Sequence, residues 1–479
     1  MNDIKEINNT GNFDGGYFVL NQNKIEIPWI QKKDFFVTLP SEQSIKEAII
    51  DLIRNAETSI KICSFIITDK DIYEEIEKVL EKYNVAVFLL TQLDDSKFSS
   101  SLLSEEEMTE NYHQNHLDII KKLYEKGAHV RATKTTHAKF IVSDRTSAFL
   151  MSANLTSPSL THNPESGIFI SEIESIKHLD RLFDLIFQYG TEYTKFITAN
   201  SNKQFIISRD SQITKELLSF NESTNLRFTY ETINNSLYQE IVSIIENSTS
   251  DIFISTYSIV GLEFLPEFIS AITKKIEEGK SITIFSRGMN YRSDHVESCI
   301  ELSKLGCVIY GDLFNHSKGI FTQNKSMIFT ANIDGIHGLK NGFEIGAVLN
   351  HEQSKNIESF IQWQIQTSPY KFVLSPSKIE CFNQYDFYCK EKEMKPLLLP
   401  SNIRLNIGNG NENLFKDIDL KTCYLKIRNK ELTQIQIGKL NYYANFSDNT
   451  LYIKERVTKP EYNLESYLFT YESIKLITV

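Results

Sequence analysis

SIKEAIIDLIRNAETSIKICSF, residues 44–65, lines up without a gap on SLYQEIVSIIENSTSDIFISTY, residues 236–257. Ile45, Ile49, Ile53, Ile60 and Ile62 pair with Leu237, Ile241, Ile245, Ile252 and Ile254, and Asn55 pairs with Asn247. In both stretches apolar residues at helical spacing give way to alternation with period two, the pattern of a helix, a short turn and a strand. Self-similarity over such a distance means that one supersecondary plan is written twice in the chain.

The repeat continues outward. An amphipathic helix follows (71–82 and 265–278), then an apolar strand (85–90 and 281–286), then a further helix and strand, so each copy is built from βαβ-like units. Gly127 and Gly306 stand at the last helix-to-strand joint, where a glycine C-cap is expected. They lie closer together in the chain than the paired residues of the opening stretches do, so the first copy carries a net insertion. The polar stretch QLDDSKFSSSLLSEEEMTENYHQ, residues 92–114, accounts for it and reads as a loop. With its acidic residues Asp94, Asp95, Glu105, Glu106 and Glu107 it is either a solvated surface loop or a lid beside a cleft.

The expected organisation is a short β-rich preamble over 1–40, a first half over 41–198, a connector over 199–230, a second half over 231–374 and a small β-rich C-terminal domain over 375–479. Amphipathic helices near 172–189 and 352–366 close the two halves, and from about 375 turn residues alternate with short aromatic or β-branched runs.

Composition bounds the function. The chain has 479 residues, 41% apolar and 11% aromatic, enough to bury a sizeable core and too apolar for disorder. Lys and Arg total 51 against 62 Asp and Glu, a formal charge of −11, which still allows a local basic groove. No export signal opens the sequence, and the longest apolar stretch, 252–272, is broken by Glu263, Pro266 and Glu267; a cytoplasmic location is expected. The six cysteines are scattered, with no C-x-x-C pair or histidine at ligand spacing, and read as reduced core residues.

The two copies share a polar constellation. In the first, His137 and Lys139 are followed by Asp144, Ser152, Asn154 and Glu165; in the second, His316 and Lys318 are followed by Thr330, Asn332 and Glu344. The intervals from His to Asn and from Asn to Glu agree between the copies to within one position. Residues i and i+2 of a strand share a face, so each His and its Lys are expected to reach one site, with Ala138, Phe140 and Val142 on the opposite face. Ala148–Met151 is then a returning strand that delivers Asn154.

These residue types suit a phosphodiester. Lysine and asparagine bind non-bridging oxygens, imidazole supplies a nucleophile or a proton, and Glu165 and Glu344 orient the rings and fix their tautomers. Displacement at phosphorus has an attacking and a leaving side, which calls for two imidazoles. The arrangement requires no cofactor and no metal ion, and the sequence offers no carboxylate cluster for one.

This pair of motifs resembles the phospholipase D superfamily, whose HKD motif reads His-x-Lys, four residues, Asp, six residues, Gly-Ser-x-Asn. The likeness covers about residues 40–370. Copy one matches at His137, Lys139, Asp144, Ser152 and Asn154, with Met151 at the glycine position. Copy two keeps His316, Lys318, Thr330 and Asn332 but has Gln323 at the aspartate position and Phe329 at the glycine position. It is closer to the HKN variant of phosphodiesterases acting on nucleic acid adducts. The resemblance implies an α/β fold of two pseudo-symmetric α/β/α halves with both motifs in the cleft between them, and His137 as nucleophile with His316 as general acid, or the reverse.

Family members include phospholipases, phospholipid synthases and metal-independent nucleases. With neither membrane helix nor secretion signal, the expected activity here is that of a nuclease on DNA or RNA in bacterial (antiviral) defence or repair, with an ATPase or helicase as partner. The alternatives are a phospholipase or phosphatidyltransferase, and a non-catalytic nucleic-acid-binding or assembly protein. Lys134 and, in the loop RGMNYRSDH, Arg287 and Arg292 are candidate backbone contacts, and Tyr291 a candidate base-stacking group. His129, His162, Tyr442, Tyr443 and Phe446 read as structural.

Overall fold

The computed structural model describes residues 4–6, 15–82, 84–93, 112–196, 205–207, 210–219, 224–290 and 292–391, and beyond them the segments 404–406, 423–428, 431–437, 440–447, 450–457, 466–469 and 475–477. The chain is α/β, with one ten-stranded mixed sheet in each half. In the first, the parallel strands 129–132, 86–91 and 59–63 continue antiparallel into 140–143, 147–151, 165–169, 36–39 and 42–43. The second repeats this order with 308–312, 282–287, 252–255, 319–321, 326–329, 343–348, 226–230 and 234–235.

The quoted repeat folds as its pattern demands. Helices Ser44–Arg54 and Ser236–Glu246 lead into strands Ser59–Cys63 and Ile252–Ser255. Ile45, Ile49 and Ile53 of the first helix share a core with Ile60 and Ile62 of its strand, and their repeat partners do the same in the second half. Both joint glycines adopt the left-handed backbone, Gly127 at φ 105° and Gly306, the C-cap of helix Ser293–Leu305, at φ 115°.

A third core lies between the sheets. Phe140, Val142 and Leu150 of the first sheet meet Ile328, Phe343 and Ile345 of the second, together with Leu179 and Phe183 of helix Ile173–Leu185 and Phe360 and Ile361 of helix His351–Thr367. The two inner faces are therefore one apolar body, which fixes the ends of the strands against each other.

Three features differ from the sequence reading. The stretch 1–40 is not a layer apart: strand Gly16–Leu20 pairs with Tyr370–Leu374 at the edge of the second sheet, while Phe36–Leu39 belongs to the first. Strand 36–39 is in fact the repeat partner of 226–230, a match too short and too divergent to read by eye. Helix Tyr112–Glu125 begins inside the stretch read as an inserted loop, and the acidic residues from Asp94 to Glu107 lie outside the described residues. Helix Lys378–Glu391 precedes the C-terminal strands, where aromatic residues suggested only β structure. Cys381 of this helix packs on Tyr17 and Val19, so tertiary contact overrides local propensity.

Beyond this helix, six strands form a sheet in the order 404–406, 450–456, 440–447, 431–437, 423–428, 466–469. Cys63, Cys299, Cys307, Cys381 and Cys389 are buried free thiols. Among the described residues, no helix is long and apolar enough to cross a membrane.

Candidate active site

The two His-x-Lys segments lie just before strands Phe140–Ser143 and Gly319–Phe321 rather than on them. Each is anchored by the other half. The His137 N–H donates to Phe343 O at 3.0 Å and the Phe343 N–H to Thr135 O at 2.8 Å; on the opposite side the His316 N–H donates to Pro164 O at 3.0 Å. Phe343 and Pro164 each stand one residue before a candidate carboxylate, so these backbone bonds bring each carboxylate to the ring of the other copy.

The side chains follow. His137 Nδ1 lies 2.6 Å from Glu344 Oε1, and His316 Nδ1 lies 2.6 Å from Glu165 Oε1. The carboxylates are exchanged between the copies, which the matched spacing within each copy did not disclose. The second oxygen of each is held by a hydroxyl of its own half: Ser152 donates to Glu165 Oε2 and Thr330 to Glu344 Oε2. Those hydroxyls in turn accept the N–H of Ser166 and of Ile345, both at 3.0 Å. A carboxylate with both oxygens engaged cannot swing, so it fixes its imidazole through Nδ1 and leaves Nε2 to react.

The remaining members of both sets are buried as well. Lys139 and Lys318 donate from Nζ to the carbonyl of the histidine two residues before. Both lysines, both asparagines and both glutamates are at most 2% exposed, and His137 is 4% exposed. His137 Nε2 and Asn332 Oδ1 are buried without a hydrogen bond. The Phe65 ring lies edge-on to His137 at 5.4 Å and the Tyr257 ring edge-on to His316 at 5.1 Å. Phe65 and Tyr257 are partners in the opening repeat, which is the signal that would have found them.

Electrostatics separate the two pairs. Burial pushes Glu165 up to about 7, against the pull of Lys318 and the Ser152 hydroxyl. Glu344 is buried as deeply, but the charge and hydrogen bond of His137, with Lys139, hold it below the usual carboxylate range. Burial lowers His137 although Glu344 opposes the shift, and Lys318 of the other half adds to it. The ammonium of one copy is thus felt at the imidazole of the other.

Other predicted residues stand elsewhere. Asp144 occupies the turn at the far end of strand Phe140–Ser143, where it accepts the N–H groups of Glu57, Thr58 and Ser59 at 3.0, 2.7 and 3.0 Å. It joins the hairpin to the start of strand Ser59–Cys63 and does not reach the imidazoles. In the second half Gln323 N donates to Ser250 Oγ and Thr249 Oγ1 to Asn324 Oδ1, a different fastening of the equivalent turn. Arg287 is the last residue of strand Ile282–Arg287 rather than a loop residue, 1% exposed, with its guanidinium 5.5 Å from the Tyr257 ring centre. Arg292 pairs with Asp294 at 2.7 Å, Lys134 is exposed, and Tyr291 lies outside the described residues. Among the described residues no group of acidic, histidine or cysteine side chains is arranged to hold a metal ion.

Residues 49–187 match the family described as cardiolipin synthase, phospholipase D-like domain. No curated protein matches the chain. Similar solved structures include polyphosphate kinase from Porphyromonas gingivalis (12% identity, TM-score 0.44), phosphatidylserine synthase from Haemophilus influenzae (14%, 0.49) and the phospholipase D family member Nuc from Salmonella typhimurium (17%, 0.26). The match covers 68%, 80% and 31% of this chain and 50%, 96% and 91% of those proteins, respectively, so the chain spans half the length of the first. Residues 49–187 thus carry the likeness to a phospholipase D-like domain.

Proposed function

We propose that this phospholipase D-like chain is a phosphodiesterase that cleaves nucleic acid, DNA or RNA, through a phosphohistidine intermediate. The observation that carries the reading is the pair of buried imidazoles, each held at Nδ1 by a carboxylate of the opposite half. Glu344, ionised below the usual range, accepts the Nδ1–H of His137 and leaves the Nε2 lone pair for attack on phosphorus. As the new N–P bond forms, the P–O bond to the leaving group breaks and that oxygen takes the Nε2 proton of His316. His316 then removes a proton from water, the water oxygen attacks phosphorus, and the N–P bond to His137 breaks. Glu165, pushed up to about 7, keeps the proton of the Glu165–His316 pair near neutral pH, which suits the acid role. Lys139, Lys318, Asn154 and Asn332 oppose the charge on the phosphoryl oxygens.

A nucleic acid substrate is supported by the exposed Lys134, three residues before His137, and by the buried cation Arg287 on the Tyr257 ring beside His316. A cytoplasmic role in antiviral defence or repair, with an ATPase or helicase that delivers the strand, belongs to the same reading. Phosphatidyl transfer is the second reading, favoured by the description of the family that residues 49–187 match.

The test is incubation of the purified chain in EDTA with labelled single-stranded DNA, duplex DNA, RNA and mixed phospholipid vesicles, beside His137→Ala and His316→Ala. Cleavage of a nucleic acid that both variants lose supports the nuclease. Head-group release alone replaces it with the second reading, and binding without turnover of any substrate removes the enzymatic reading.

A further inference from the structure

Two buried histidines outside the motifs repeat with the fold. His116 stands at the same distance before Gly127 as His295 does before Gly306, and the two lie on the corresponding helices Tyr112–Glu125 and Ser293–Leu305. Both are fully buried. They share two bonds: the Ile67 N–H donates to His116 Nδ1 at 3.1 Å and the Ile259 N–H to His295 Nδ1 at 3.0 Å. On the other side, His116 Nε2 lies 3.0 Å from Gln92 O and His295 Nε2 lies 3.1 Å from Arg287 O. One neutral tautomer, with an accepting Nδ1 and a donating Nε2, satisfies these two bonds in both halves. Burial, which drives both imidazoles down to about 4, keeps them neutral.

What they grip leads to the candidate site by two routes. Ile67 and Ile259 form parallel bridges to Leu155 and Ile333, the residues immediately after Asn154 and Asn332. Two residues upstream, Phe65 and Tyr257 lie edge-on to the His137 and His316 rings. Each bracket also closes on the neighbouring strand end: Gln92 N–H donates to Phe65 O and Arg287 N–H to Tyr257 O, next to the carbonyls that the histidines engage.

We propose that His116 and His295 are a duplicated pair of positioning residues, each setting the Asn and the imidazole of its own half by clamping the loop between them. The proposal rests on the phosphodiesterase reading for its kinetic part. Neither histidine touches the phosphate; each fixes the segment from Phe65 to Ile67, or from Tyr257 to Ile259, against the strand end that follows it. Backbone displacement of such a segment moves the asparagine amide and the ring packing together, and misplacement of reacting groups by about 1 Å costs up to roughly 100-fold in rate.

The experiment uses the full chain with His116→Phe and His295→Phe, which roughly keep the volume and remove the imidazole's bonds, and His116→Asn and His295→Asn, which keep an acceptor for the Ile67 or Ile259 N–H. The expected result is a kcat lower by about 10- to 100-fold in the Phe variants with KM within about twofold, and substantial recovery in the Asn variants. NMR titration of labelled histidines gives a second readout that needs no substrate. The His137 titration should move in the His116 variant and not in the His295 variant, and that of His316 the reverse. Folded Phe variants with wild-type kcat and unmoved titrations overturn the proposal. If the Phe variants do not fold, equal kcat and unmoved titrations in the Asn variants and wild type overturn it. Absence of turnover in the wild type removes the phosphodiesterase reading instead, and the half-specific titrations still decide the clamp.

Discussion

At the scale of the residue, the unlike environments of Glu165 and Glu344 predict the pH dependence. His137 lies below its ordinary 6.5, so the unprotonated form, which attacks in the proposed mechanism, prevails from somewhat below that pH upward. Glu165 is raised to about 7, so the proton of its pair with His316 persists to that pH and is lost above it. The product of the two fractions gives a bell for kcat/KM, rising below about 6.5 and falling above about 7. A rate that keeps rising through pH 8 would contradict the assignment of the acid. Asp144 acts on stability instead. Partial burial opposes its ionisation, but the bonds from Ser59, Glu57 and Thr58 hold it down to about 2. Asp144→Ala should therefore cost about 1–3 kcal/mol in urea unfolding at pH 7 with kcat unchanged. This difference is full above the ordinary aspartate pKa and shrinks as the pH falls toward about 2. The motif histidines, lysines and asparagines were legible because their intervals repeat. The exchange of glutamates was not, because each Glu sits at a matched distance from the wrong ring, and only the packing of the halves reveals its partner.

At the scale of the element, the glycines that end the last helix of each copy differ in their surroundings. A methyl group on Gly306 would meet Ile276 Cγ2 at 3.3 Å, whereas one on Gly127 would meet nothing within 4 Å. Both carry a positive φ that disfavours any other residue, so Gly127→Ala should lose about 1 kcal/mol and Gly306→Ala more, as read from thermal or urea unfolding. Equal losses would show that Ile276 yields. The helix–turn–strand pattern at 44–65 was readable because burial on one side imprints a period. Helix Lys378–Glu391 was not, since its stability comes from contact with a strand near the opposite end of the sequence.

At the scale of the whole molecule, the halves meet through an apolar layer whose polar end is the imidazole cluster, and the seam there is not symmetric. Among the described residues, two backbone bonds cross it on the His137 side, one in each direction; on the His316 side Pro164, which has no N–H, leaves a single crossing bond. Fastened twice at one end and once at the other, the joint has a preferred end from which to unzip. Amide exchange should be faster at His316 than at His137, and Pro164→Ala, which supplies the missing donor, should narrow the gap. In the proposed mechanism the end that loosens first is the one where water enters after the leaving group departs, so on that reading a single imino acid gives the two otherwise mirrored lobes a front door and a back wall.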